Sequence, residues 1–191
     1  MPNTLQRYIV QMAMPAKWPL QQLTKRCGSM KTLLLMRHAK SSWKDQGLSD
    51  HDRPLNKRGA RDAPRVGNLL AEHDLCPDLI VCSTAVRARA TAQAVAETCG
   101  YSGELVELPD LYHAPPGNYI EAACVVPESI GRLLAVGHNP GISEFLWHLT
   151  GAGEGFPTAA LAQVELPIDA WNELTDAVRG ELTNYWRPRE L

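Results

Sequence analysis

TLLLMRHAKS at residues 32–41 and RLLAVGHNPG at residues 132–141 repeat one pattern: a short apolar run, a histidine, then a polar turn. Continuous apolar runs of this length suit a strand buried on both faces of a parallel sheet. The strands read as residues 32–36 and 132–136, and His38 and His138 follow at their carboxyl ends. Were the two strands parallel neighbours, both imidazoles would emerge at one sheet edge, the edge where open α/β sheets bind ligands.

Outward from these two stretches, strand-like and helix-like pieces alternate. Asn56 can cap a helix reaching about residue 73, with Val66, Leu69 and Leu70 on its apolar side and an expected kink at Pro64. Residues 79–82 (LIVC) form the next strand; Ser83 or Thr84 caps a helix from about residue 85 to 99, stopped by Gly100. Residues 104–108 read as a strand, 117–126 as a helix ended by Pro127, and 140–149 as the helix after His138. Residues 159–166 and 181–186 read as closing strands paired at an edge. The pattern predicts a three-layer α/β domain over residues 30–191. Its central sheet is mainly parallel, with helices on both faces and an antiparallel edge.

The 191 residues fit one domain at about 150 residues each. No run of about 18 apolar residues is present, so no membrane partner is expected. Cys27, Cys76, Cys82, Cys99 and Cys124 form no CxxC pair, which points to neither a zinc cage nor a disulfide framework. A reducing, cytoplasmic setting is the expectation. A net charge of −2 argues against general nucleic-acid binding.

The charge is unevenly placed. Residues 1–29 carry Arg7, Lys17, Lys25 and Arg26 and no acid, leaving 15 basic against 21 acidic groups in residues 30–191. That first segment lacks strong periodicity and is expected to be a dispensable extension, flexible or a non-native start ahead of Met30. Within the acidic remainder, Arg37, Lys40, Lys44, Arg53, Lys57, Arg58, Arg61 and Arg65 crowd residues 37–65, opposed by Asp45, Asp50, Asp52 and Asp62. A small anionic substrate would suit such a patch; a solvated helix face plus a loop would also produce it.

The exit of residues 79–82 leads to Arg87, so three strand ends would deliver Arg37, His38, Arg87 and His138 to one crevice. Thr91 shares a helix face with Arg87, while Arg89 points elsewhere. These residue types suit phosphoryl transfer. Neutral imidazole is nucleophilic, nearby arginines disfavour its cationic form, and arginine forks onto phosphate oxygens. Helix N-termini after His38's loop, after Ser83 and after Asn139 would add amide donors. A histidine at a strand end is often just a polar boundary residue, and spacing alone leaves both readings open.

The stretch from Leu33 to Ser41 resembles the Arg-His signature of the histidine phosphatase (phosphoglycerate mutase-like) superfamily. Residues 52–59 (DRPLNKRG), 82–91 (CSTAVRARAT) and 136–141 (VGHNPG) resemble its next landmarks in order. Ala39 in place of the more usual glycine, the segment Leu111-Tyr112-His113-Ala114 and the ending at residues 186–191 are closest to small SixA-type phosphohistidine phosphatases. The resemblance implies that His38 is the nucleophile and becomes phosphohistidine. It implies that Arg37, Arg87 and His138 hold the phosphoryl oxygens, with His138 stabilising transition-state charge, and that water releases phosphate.

Larger members place a glutamate mid-chain. Here the nearest candidate proton donor is Asp110, which reads equally well as a turn carboxylate beside Pro109. Imidazole leaves from phosphohistidine far more readily than an alcohol leaves from an ester, so a missing acid is tolerable for that substrate. The compact chain leaves little room for a lid, favouring an open site. The expectation is a phosphatase needing no metal or cofactor, acting on protein phosphohistidine. The alternatives are a phosphatase for small phosphomonoesters, a mutase-type isomerase and a non-catalytic phosphate-binding module. His51, His73, His113 and His148 read as surface or packing residues, and Trp147 and Trp171 as packing. Lys40 and Ser41 read as loop residues or phosphate contacts, and Trp43 as a pocket wall or a cap on the core.

Overall fold

The computed structural model describes residues 30–153 and 155–191; the expected extension at residues 1–29 lies outside the described residues. β1 (Lys31–Arg37) leads by a long loop to α1 (Lys57–Glu72), then β2 (Leu79–Ser83), α2 (Val86–Cys99) and β3 (Val106–Leu108). After a 3-10 turn at Pro109–Leu111 come α3 (Pro116–Cys124), β4 (Arg132–Gly137), α4 (Gly141–Thr150), β5 (Leu161–Leu166) and β6 (Glu181–Trp186). The sheet runs β3-β2-β4-β1-β5-β6. β3, β2, β4 and β1 are parallel to their neighbours, and β5 and β6 close the edge antiparallel. The expected layering and edge are both present.

Period-two alternation along the buried strands explains the layers. Leu33, Leu35, Val81, Leu133 and Ala135 face α3 and α4, packing with Tyr119, Phe145, Leu149 and Trp171. Leu34, Met36, Ile80, Cys82, Leu134 and Val136 face α1 and α2, packing with Val66, Leu70, Ala92 and Val95. Each fully buried leucine contributes about 1.5–3 kcal/mol of transfer free energy, so the two inner strands are the sheet's most firmly held part. They also carry both histidines.

Local chemistry sets the helix ends. The Asn56 side chain accepts from the Gly59 amide at 2.9 Å and caps α1 as expected. A β-carbon on Gly59 would fall 2.2 Å from the Lys40 carbonyl oxygen, so glycine lets α1 press onto the loop that follows β1. The helix is continuous through Pro64. α2 ends at Gly100, with φ +81°. Its N-cap is Ala85, with no side-chain cap bond, instead of Ser83 or Thr84. Both hydroxyls are otherwise engaged: Ser83 lies 2.9 Å from His138 Nε2, and Thr84 lies 3.0 Å from His51 Nε2.

Other differences are small. β3 begins at Val106 and β5 at Leu161, later than the apolar pattern suggested. Ala159 instead takes φ +60° and donates its amide to the Arg37 and His38 carbonyls, tying down the end of β1. Trp171 is fully buried as expected, whereas Trp147 is 60% exposed. It lies two residues beyond Phe145 on α4, about 200° round the helix from that core-facing side chain. Trp43 caps no core: it is 68% exposed and lies under the Arg53 guanidinium.

Candidate active site

β1 and β4 pair in parallel register up to Arg37 opposite Gly137, so the next residue on each strand is a histidine. His38 N–H donates to the Gly137 carbonyl at 3.0 Å, continuing the ladder one step. The two rings stand 4.9 Å apart between centroids, tilted by 53°. Both are buried, at 8% and 2% exposure.

The Ala39 carbonyl can only accept, so the 2.7 Å contact to His38 Nδ1 makes that nitrogen the protonated one. Nε2 therefore keeps its lone pair. The loop behind it is held by Thr91, whose hydroxyl accepts from the Ala39 amide at 3.0 Å and donates to the Arg87 carbonyl at 2.6 Å. Burial lowers the His38 pKa to about 4, outweighing the Ala39 bond that raises it; Arg87, Arg37 and Arg53 lower it further. Burial likewise lowers His138 to about 3, with His38, Arg87 and His113 adding to the effect. Both imidazoles are neutral at pH 7.

Arg87 joins the pair. Its Nε lies 3.3 Å from His38 Nε2, and its Nη2 lies 3.3 Å from His138 Nδ1 and 2.8 Å from Asp50 Oδ2. Nη1 donates to the Asp50 carbonyl. Arg87 and Thr91 share the buried face of α2, and Arg89 turns out to Glu107, as the helical spacing predicts. Arg37 Nη1 donates to the Phe156 carbonyl at 2.9 Å. Its buried Nε has no hydrogen-bond partner among the described residues, leaving a donor for an anion.

Asp50, Arg53, Tyr112 and His113 surround this group and were not assigned to the site from sequence. Asp50 takes bonds from Arg87 and Arg53, and from the Tyr112 hydroxyl at 2.8 Å. Burial alone would raise the Asp50 pKa, but the Tyr112 bond and the arginines hold it well below the usual carboxylate range. Arg53 also reaches the Ser41 hydroxyl and the Ser42 carbonyl. Ser41, which pairs with Leu55 across the loop, is thereby structural. His113 Nε2 lies 3.6 Å from Asp50 Oδ2, and its ring lies 5.8 Å from that of His138, so it is more than a packing residue. Arg53, Tyr112 and His113 fall inside stretches that carried the family resemblance; chain order gave no sign that they meet.

Asp110 is not brought in. It sits exposed in the 3-10 turn, with its backbone carbonyl accepting from Asn118 and no hydrogen bond or ion pair joining its carboxylate to the cluster. The positive patch also divides. Arg58 and Arg61 bind buried Asp62 at 3.2 and 2.8 Å, and Arg65 binds the carbonyls of Pro188 and Leu191. Arg37 and Arg53 are the members of that run that act on His38.

The parallel sheet delivers two neutral imidazoles and a shared guanidinium to its carboxyl edge, a set able to bind and transfer a phosphoryl group. The chain belongs to the histidine phosphatase superfamily, whose branch 1 model matches residues 33–119. An uncharacterised Mycobacterium tuberculosis protein is 39% identical over 138 residues, 66% of this chain and 84% of that one. A solved structure assigned as the phosphohistidine phosphatase SixA from Nakamurella multipartitia shares 31% identity at a TM-score of 0.74, covering 83% of this chain and 96% of that one. The 2,3-bisphosphoglycerate-dependent phosphoglycerate mutase of Mycobacterium leprae is 38% identical over 76 residues, 39% of this chain and 31% of that enzyme.

Proposed function

We propose that this protein removes the phosphoryl group from phosphohistidine on a protein substrate in the cytoplasm, with residues 30–191 sufficient and residues 1–29 dispensable. The observation carrying the reading is the His38 tautomer. Nδ1–H is committed to the Ala39 carbonyl, which turns an unprotonated Nε2 toward Arg87 and His138. That nitrogen attacks phosphorus and carries the phosphoryl group until water takes it. Arg37, Arg53 and Arg87 supply the positive charge that a metal supplies elsewhere.

His138 can change roles. Arg87 only donates, so His138 Nδ1 accepts from it at rest and Nε2–H donates to Ser83 Oγ. The Ser83 hydroxyl can instead donate to Nε2, which frees a protonated Nδ1 for a phosphoryl oxygen as charge develops.

Two features support phosphohistidine as the substrate. The SixA assignment of the Nakamurella structure is one. The other is a rim open enough for a protein side chain: the His113 and Asp50 side chains are 56% and 40% exposed. The test is turnover of a phosphohistidine protein against a panel of sugar phosphates, with trapping of labelled phosphate on the enzyme. Phosphohistidine should be preferred, and label should vanish in His38→Ala. Preference for a sugar phosphate would make the protein a small-molecule phosphatase. Binding without turnover would make it a phosphate-binding module.

A further inference from the structure

His113 is an exposed residue held with unusual care. Its φ is +52°, in the left-handed region that L-residues enter at a cost and that concentrates at functional sites. The next residue, Ala114, is buried, and a β-carbon on Gly141 would come within 1.6 Å of its carbonyl oxygen. The segment is thus pinned against the first turn of α4, directly behind His138. Tyr112 packs on the His113 ring at 4.2 Å, and Asp50 faces Nε2 at 3.6 Å. An imidazole 56% exposed buries too little surface to repay that conformation by packing.

Its position suits a leaving group. His38, Arg87 and His138 are buried, whereas His113, its ring 5.8 Å from that of His138, is the exposed imidazole of the cluster, on the side a substrate must arrive from and depart by. We propose that His113 is the catalytic residue that protonates the leaving group, and that the leaving group it matches is another imidazole. The inference rests on the phosphatase reading above and names the acid that reading lacked.

Other groups nearby are committed. Asp50 is held as a carboxylate by Tyr112 and two arginines, and Tyr112 donates its hydroxyl proton to Asp50. His38 and His138 are kept neutral by burial. His51 is engaged by Thr84 and Asp52.

In the first step His38 Nε2 forms a bond to phosphorus as the substrate's P–N bond breaks. The electron pair passes to the departing nitrogen, which takes the proton of protonated His113. In the second step water attacks phosphorus and gives a proton to His113, while the bonding pair returns to His38 Nε2 and phosphate leaves. The proton transfer leaves one neutral imidazole on the enzyme and one on the substrate, so neither ring ends the step charged.

The experiment compares wild type with His113→Asn, since asparagine tolerates the left-handed backbone, and with His113→Gln. Substrates are phosphoimidazole, phenyl phosphate and 4-nitrophenyl phosphate. The loss in kcat/KM should grow with the basicity of the leaving group. It should reach about 100- to 10,000-fold for phenyl phosphate and be smallest for 4-nitrophenyl phosphate. A melting curve close to wild type confirms the fold in either variant. An equal loss on every substrate, or none, overturns the role of His113 and leaves the phosphatase standing. A wild type inactive on all three overturns both.

Discussion

Arg87→Lys is the most demanding substitution, because it keeps the charge and removes the shape. Arg87 spans His38 Nε2 at 3.3 Å, His138 Nδ1 at 3.3 Å and Asp50 Oδ2 at 2.8 Å in one plane, with a further bond to the Asp50 carbonyl. A lysine ammonium is a single point with three donors and cannot meet acceptors spread across that plane. Losing one preorganised donor to transition-state charge costs about 2.7–4 kcal/mol, or about 100- to 1,000-fold in kcat. Arg87→Lys should therefore fall about as far as Arg87→Ala. Steady-state kinetics on a phosphohistidine protein would measure both, beside a thermal melt. Asp50 retains Arg53 and Tyr112 as partners, so both variants should fold. If Arg87→Lys keeps within about tenfold of wild type, net charge matters and the fork does not, and the geometric account fails.

Four further outcomes follow. The folded His38 pKa of about 4 lies below the 6.5 of an ordinary imidazole, so the unfolded chain binds more protons between those values. Stability should fall as pH drops through that window, by about 3 kcal/mol from His38, with His138 acting in the same direction; urea midpoints equal at pH 7.5 and 4.5 would contradict this. Asp62→Ala should lower stability by about 1–3 kcal/mol in urea unfolding, because Asp62 is buried and binds Arg58 and Arg61, yet leave kcat/KM near wild type. Gly141→Ala should cost about 1–3 kcal/mol in the same assay and also reduce turnover, since it pushes on the Ala114 carbonyl and with it Tyr112 and His113. Asp50→Asn should tighten inhibition by inorganic phosphate about tenfold and slow turnover, and a weaker phosphate Ki would count against Asp50 as the group that offsets surplus positive charge.

The fold could be read because its determinants are local. Two unbroken apolar runs ending in histidine specify two inner strands, and parallel register does the rest: Arg37 opposite Gly137 makes His38 and His138 neighbours. Arg87 could be placed because helical spacing puts it on one face with Thr91. Asp50, Tyr112 and His113 could not, since they meet through loops whose paths depend on contacts far apart in the chain. Asp50 reaches Tyr112 across 62 positions, and no periodicity encodes that. Asp110 failed for the complementary reason: a carboxylate at the right place in sequence order sits on a turn that faces solvent.

A carboxylate within a site for phosphate looks self-defeating until the charges are balanced. Arg37, Arg53 and Arg87 bring three positive charges to bear on His38, Asp50 is held as an anion among them, and both imidazoles are neutral. These six groups sum to +2, the complement of a dianionic phosphoryl group, and the proton carried by His113 stands outside that sum because it departs with the leaving group. Without Asp50 the surplus would persist after phosphate bound, and product would be held more tightly than turnover tolerates. With either imidazole protonated the same surplus would return, and His38 would lose its lone pair as well. Burial of the histidines and capture of Asp50 are in that sense one device. It makes the pocket attractive enough to orient the phosphoryl group and balanced enough to release it once water has broken the bond to His38.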